Sequence, residues 1–207
     1  RRRGAAARRR GQPRHSWSAT ARRLAREGWR ALSLDLRGHG ESDWAEDGAY
    51  DLEDFVLDLV AVVRSLPQRP VVVGASLGGM TALCAEGEAK APLLAALVLV
   101  DVTPRLEPQG VLRIVSFMTD RPDGFASLKE AADAIAVYRE HRSRPNDLQG
   151  LAKNLRLGED GRYRWHWDPK FMSRERRERN TLTPDRLLNA ARGLRVQMVD
   201  SSQKNPS

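Results

Sequence analysis

The sequence predicts an α/β chain: a mainly parallel sheet flanked by helices, with a helical cap inserted into it. Three observations carry this. Strand-like apolar runs alternate with helix-period segments up to about residue 100, as a parallel sheet covered on both sides requires. A glycine-rich corner, Gly74-Ala75-Ser76-Leu77-Gly78-Gly79, joins the valine run Val71-Val72-Val73 to the helical stretch from Met80 to Ala85. Leu93 to Val100 is almost unbroken apolar sequence ending at Asp101, the pattern of a strand buried on both faces.

Taken in order, helical spacing runs from Ser16 to Glu27, where Trp17, Ala21, Leu24 and Ala25 share a face and Gly28 offers a C-terminal cap. A strand over Trp29–Leu36 runs into the turn-rich loop Asp35 to Ser42. Asp51 caps a helix whose apolar positions Leu52, Phe55, Val56, Leu59, Val60, Val63 and Leu66 repeat every 3.6 residues. Tyr50 and Phe55 are spaced as a hydrophobic staple, and Pro67 closes the helix before the valine strand. From about Thr103 to Asn189 the strand alternation disappears. Ser127 and Glu130 form a capping-box pattern opening a helix through Ile135 and Tyr138, and Thr183-Pro184 opens another. Leu194 to Val199 is strand-like. The division expected is a disordered Arg-rich tail at 1–11, the first part of the core at 12–102, the cap at 103–189, a return to the core at 190–199 and a second disordered tail at 200–207.

A chain of 207 residues with 41% apolar content suits one domain with a cap. The net charge of +8 is concentrated at the start, where eleven Arg face Glu27 alone within residues 1–30. Arg1 to Arg10 could hold polyanions, but no aromatic residue interrupts the run to stack on bases, and nucleic-acid binding is not expected. Cys84, the single cysteine, excludes an internal disulfide and a cysteine zinc cluster. No apolar stretch approaches the roughly 20 residues of a membrane helix, so a soluble, cytoplasmic protein is expected, with oligomeric state left open.

The chemistry gathers at strand ends. Asp35, Ser76 and Asp101 all fall at predicted carboxyl ends, where parallel sheets build their sites. A serine hydroxyl is a poor nucleophile until a corner presents it to a base and to oxyanion donors; Gly74-x-Ser76-x-Gly78 is such a corner, its glycines removing side chains that would collide at so tight a turn. Trp165 and Trp167 flank His166 and are candidates either for lining a substrate cleft or for ordinary packing.

With these residues in place, residues 12–199 resemble the α/β-hydrolase superfamily. Asp35-x-Arg37-Gly38-x-Gly40-x-Ser42 is similar to its loop after the fourth strand, Gly74 to Gly79 to its nucleophile elbow, and Leu97 to Asp101 to its sixth strand with a cap behind it. The sub-group is the small cofactor-free one of esterases, C–C bond hydrolases and metal-free haloperoxidases or perhydrolases, so neither cofactor nor metal is expected. The resemblance implies Ser76 as nucleophile toward a small-molecule ester or related acyl substrate and the Leu77 backbone N–H as an oxyanion donor. Asp101 is a candidate acid or a plain loop residue.

Three parts of the family pattern are not found. No apolar third strand and no His-Gly donor loop precede Gln12, where Arg8-Arg9-Arg10-Gly11 stands; no His follows Val199; and Asp200 to Lys204 replaces the usual acid loop. None of His15, His39, His141 and His166 occupies the place of the general base; His39 carries a structural or cleft-edge role by resemblance. These gaps predict a shortened hydrolase of impaired activity with a break in its sheet. A non-catalytic binding protein of the same fold, which keeps the cap cleft or needs a partner chain to complete the sheet, is the alternative.

Overall fold

The computed structural model describes residues 3–7 (as backbone), 14–105, 107–138, 147–173, 176 and 183–194. Four strands, β1 (Arg3–Ala7), β2 (Arg30–Ser33), β3 (Val71–Ala75) and β4 (Ala96–Val100), form a parallel sheet in the order β2-β1-β3-β4.

The central position of β1 corrects the expectation of a disordered tail over 1–11 and of a missing strand before Gln12. Gly4, Ala5 and Ala6 pair with Ala31, Leu32 and Ser33 on one side and with Val71, Val72 and Val73 on the other. Alanine and glycine carry little strand preference of their own, so nothing local marks Arg3–Ala7. The slot between β2 and β3 decides the matter, because a strand there satisfies the backbone groups of both neighbours. The remaining residues of the expected first tail, the stretch 195–199 and the second tail lie outside the described residues.

Helices flank this sheet. A 3-10 turn (Arg14–Trp17) leads into α1 (Ser18–Arg26), which Gly28 ends at φ +84°. Helix α2 (Leu52–Ser65) begins at Asp51, whose N–H donates to the Asp54 carboxylate at 2.8 Å, and Tyr50 stacks beside Phe55 at 6.5 Å. Helix α3 (Leu77–Gly87) follows the corner and is buried from Leu77 to Ala85. The core between the helices and the sheet is built from Phe55, Leu59, Val63, Val72 and Leu83.

The stretch expected as a cap holds α4 (Pro108–Thr119), α5 (Leu128–Tyr138) and α6 (Leu148–Ala152), followed by a hairpin of β5 (Leu155–Leu157) and β6 (Tyr163–Trp165). The hairpin departs from the helical cap expected. Leu155, Leu157, Tyr163 and Trp165 fall at alternate positions on paired strands, and Gly161 turns the chain at φ +73°. Phe125, Ala131, Ala132, Leu151 and Leu155 form a separate small core, and Trp165 packs against both cores.

The last described helix, α7 (Pro184–Gly193), is capped by the Thr183 hydroxyl, which accepts from the Arg186 N–H at 3.2 Å. It lies on the main core, with Leu187 and Ala190 buried there, so the core resumes before the boundary expected at 189–190. A Cβ on Gly87 would run into the Ala190 carbonyl, so the two helices meet backbone to backbone. Arg186 then ties α7 to Glu88 at 2.7 and 2.8 Å and to Glu53 at 2.7 Å.

The segment after β6 is stitched to the loop after β2. The Gly40 N–H donates to the His166 carbonyl at 2.8 Å, and the Asp168 N–H to the Gly38 carbonyl at 2.7 Å. The buried Tyr50 hydroxyl donates to Asp168 Oδ2 at 2.5 Å and accepts from the Ala45 N–H at 2.7 Å. Burial, with the Asp168 carboxylate beside it, holds that hydroxyl above its ordinary pKa range, so it stays a donor. Tyr50→Phe strands both partners and is expected to lower stability by about 1–3 kcal/mol. Chemical denaturation checks this as a lower midpoint with an unchanged slope, and an unaltered midpoint would show that the bond is not needed.

Candidate active site

The corner between β3 and α3 has unusual geometry. Ser76 sits at φ 48°, ψ −121°, a conformation that non-glycine residues rarely hold without support. The support is visible on each side. Its N–H donates to the Val100 carbonyl at 3.3 Å, extending the β3–β4 ladder by one step, and its carbonyl accepts from the Met80 N–H at 2.9 Å, starting the helix. Two glycines allow the turn. A Cβ at Gly74 would lie 2.7 Å from the Gly78 carbonyl oxygen, and one at Gly79 would lie 2.6 Å from Val102 Cγ2. Gly74 thus has the role read from its spacing, while the second close approach belongs to Gly79, with Gly78 taking part through its carbonyl.

Ser76 remains half-buried. Leu77 is the first residue of α3, so its N–H lacks an intrahelical acceptor and lies at the positive end of the helix dipole. Cys84, buried on the same helix, has its thiol pushed up to about 12 by burial, as suits a side chain that fills the core.

Asp101 stands beside this corner. Ala75 pairs with Val100, so Ser76 and Asp101 are the next residues on two neighbouring strands about 5 Å apart. Asp101 is exposed and has φ 57°. Among the described residues these two are the non-glycine positions with positive φ, and both fall at strand ends. The sequence singled out both, but not the backbone strain they share.

The loop after β2 contains a hub that sequence reading missed. The Asp35 carboxylate, 2% exposed, accepts from the Arg14 N–H at 2.7 Å, from Arg14 Nη1 at 3.1 Å and from the Glu41 N–H at 3.3 Å. Gly40 (φ +59°) lies so close that a Cβ would strike this carboxylate. Arg37 forks onto Asp58 with two bonds of 2.7 Å, and the Ser42 hydroxyl donates to the Asp35 carbonyl at 2.7 Å. The signal was the Asp-x-Arg-Gly-x-Gly-x-Ser spacing itself, each polar member of which has a partner.

No described histidine is hydrogen-bonded to Ser76. His39 is buried, its Nδ1 2.8 Å from the Arg37 carbonyl and its ring 4.7 Å from Phe171. His15 Nε2 is 4.0 Å from Glu41. His166 lies at the seam between cap and core, where burial first and Arg156 second lower its pKa. His141 lies outside the described residues. Trp167 is buried in the main core and stacks on Trp165 at 5.2 Å with an interplanar angle of 7°, so cleft lining by Trp167 gives way to packing. Trp165 is half-buried between the two cores. An apolar groove of about 440 Å³ runs between α4 and α5, with Leu112, Phe117, Val137 and Tyr138 on its walls and no residue of the strand ends. Among the described residues no cluster of three or more His, Cys, Asp or Glu is arranged to hold a metal ion, and no helix is long and apolar enough to cross a membrane.

The model of the alpha/beta hydrolase family matches residues 9–199. The chain belongs to this family. Among curated relatives of this hydrolase chain, an esterase of Mycobacterium tuberculosis is 35% identical over 169 residues, spanning 76% of the chain and 54% of the esterase. Protein phosphatase methylesterase 1 of Bos taurus is 30% identical over 123 residues, spanning 57% of the chain and 32% of the relative. A solved alpha/beta hydrolase from Novosphingobium aromaticivorans superposes with a TM-score of 0.72 at 28% identity, covering 83% of this chain and 61% of that one. The hydrolase chain thus spans about half the length of the esterase and a third of the methylesterase.

The lowered pKa of His166 has a consequence for stability. The unfolded chain takes up this proton at the ordinary histidine pH, about 6.5, and the folded chain only at lower pH. The contribution of His166 is therefore fully present above that value and declines as pH falls toward the folded pKa. NMR titration of the ring is expected to give a midpoint below the ordinary value, and a midpoint above it would contradict the burial described.

Proposed function

We propose that this chain carries the nucleophile half of a serine esterase acting on a small carboxylic ester. Ser76 Oγ attacks the carbonyl carbon, and the tetrahedral oxyanion points at the Leu77 N–H. The seryl proton passes to the leaving alkoxide, which departs as the alcohol, and water then cleaves the acyl ester, releasing the carboxylic acid and restoring the Ser76 hydroxyl. Asp101, on the neighbouring strand end, is the acid of this reading. What supports it above all is the conformation of Ser76, a serine held at positive φ between a strand and a helix and left half-exposed. The esterase and methylesterase relatives favour the ester class. One preorganised oxyanion donor is worth about 3–4 kcal/mol of transition-state stabilisation.

One observation favours a second reading, a binding protein of the same fold: no described histidine reaches Ser76 to act as its base. The two separate cleanly. A fluorophosphonate probe followed by peptide mass spectrometry is expected to place the label on Ser76, with no label in Ser76→Ala of unchanged circular dichroism. Well-folded protein that takes no label would support the binding reading.

A further inference from the structure

A second cavity, of about 480 Å³, lies between α1 and α6, walled by His15, Ser16, Ser18, Arg22, Asp147 and Lys153. It shares no residue with the corner at Ser76. Arg22 reaches it from the core side and Lys153 from the cap side. Among the described residues, neither side chain makes a hydrogen bond or an ion pair, whereas Arg14, Arg37, Arg164 and Arg186 all have carboxylate partners. Asp147, the acidic group in the wall, is engaged in capping α6, where Oδ1 accepts from the Gly150 N–H at 2.8 Å. The Ser16 hydroxyl donates to Asn154 Oδ1 at 3.3 Å and so joins the two walls.

An anion with several oxygens can serve the guanidinium of one wall and the ammonium of the other at once. A phosphate group, with more charge and more acceptor oxygens than a carboxylate, has oxygens for two cations and for the Ser18 hydroxyl in the same wall. The cavity is larger than a phosphate ion. Its remaining polar wall, with the second Asp147 oxygen, suits hydroxyl groups on the organic part. We propose that this cavity binds a small phosphorylated polyol, with Arg22 and Lys153 holding the phosphate. Because α1 belongs to the core and α6 to the cap, the bound molecule would tie one to the other.

Isothermal titration of the full chain with glycerol 3-phosphate, inorganic phosphate and glycerol tests this without reference to hydrolysis. Saturable binding is expected for glycerol 3-phosphate, weaker binding for phosphate and none for glycerol. Arg22→Gln with Lys153→Gln is expected to weaken binding by about tenfold or more, since two charge-assisted contacts are lost. Both side chains are exposed, and an unchanged circular dichroism spectrum shows that the double variant folds. Ser76→Ala is expected to bind as the parent does, so a failure here and a failure of the esterase reading are separable. Absence of saturable binding by either phosphate compound, or its survival in the double variant, overturns the proposal; equal affinity for phosphate and glycerol 3-phosphate overturns the polyol part.

Discussion

The backbone at Ser76 is the constraint on which the rest of this structure depends. A residue with φ near +48° at the end of a parallel strand is unfavourable by roughly 1–3 kcal/mol and persists when its surroundings hold it there. Here the β3–β4 ladder grips the N–H side through Val100, the first turn of α3 grips the carbonyl side through Met80, and the approach of Gly74 to Gly79 leaves the chain no wider path. Val102 packs on Gly79 just past Asp101, so the neighbouring strand end is pressed against the same corner. The strain is local, confined to the one residue between the end of β3 and the first residue of α3.

The remainder of the fold can be understood as holding that corner still. Strand β1 completes the ladder between β2 and β3, so β3 is paired along both edges. Helix α7 closes on α3 through the backbone contact at Gly87 and the Arg186 fork, and α3 is thereby clamped between α2 and α7. Asp35 binds the chain entering α1 to the loop leaving β2, and Tyr50 with Asp168 binds the cap hairpin to that same loop. Among the described residues β4 is an edge of the sheet, and its Val98 is 46% exposed.

Much of this could be read from the residues, and the exceptions have physical causes. The corner was legible because strand, Gly-x-Ser-x-Gly and helix must occur together for its chemistry, and the α2 helix because its apolar residues repeat strictly every 3.6 positions. Strand β1 was not, since Gly-Ala-Ala-Ala between arginines has no periodicity and gains its structure wholly from two neighbours far along the chain. The β5–β6 hairpin was obscured because three-residue strands are too short to establish a period of two. Pairing is likewise invisible in sequence: Asp35 reaches Arg14 across 21 residues, and Tyr50 reaches Asp168 across 118. For Trp167 the residues left cleft lining and packing both open, since spacing alone does not separate them; the side chain is buried against Trp165.

The strain at position 76 can be measured directly by comparing the unfolding free energies of Ser76→Gly and Ser76→Ala. At an ordinary position glycine is the less stable of the two by about 0.5–1 kcal/mol, because its unfolded chain is freer. At a residue forced to positive φ the order inverts, since glycine alone carries no Cβ penalty there. The account predicts that the glycine variant is the more stable; an alanine variant of equal or greater stability would contradict it.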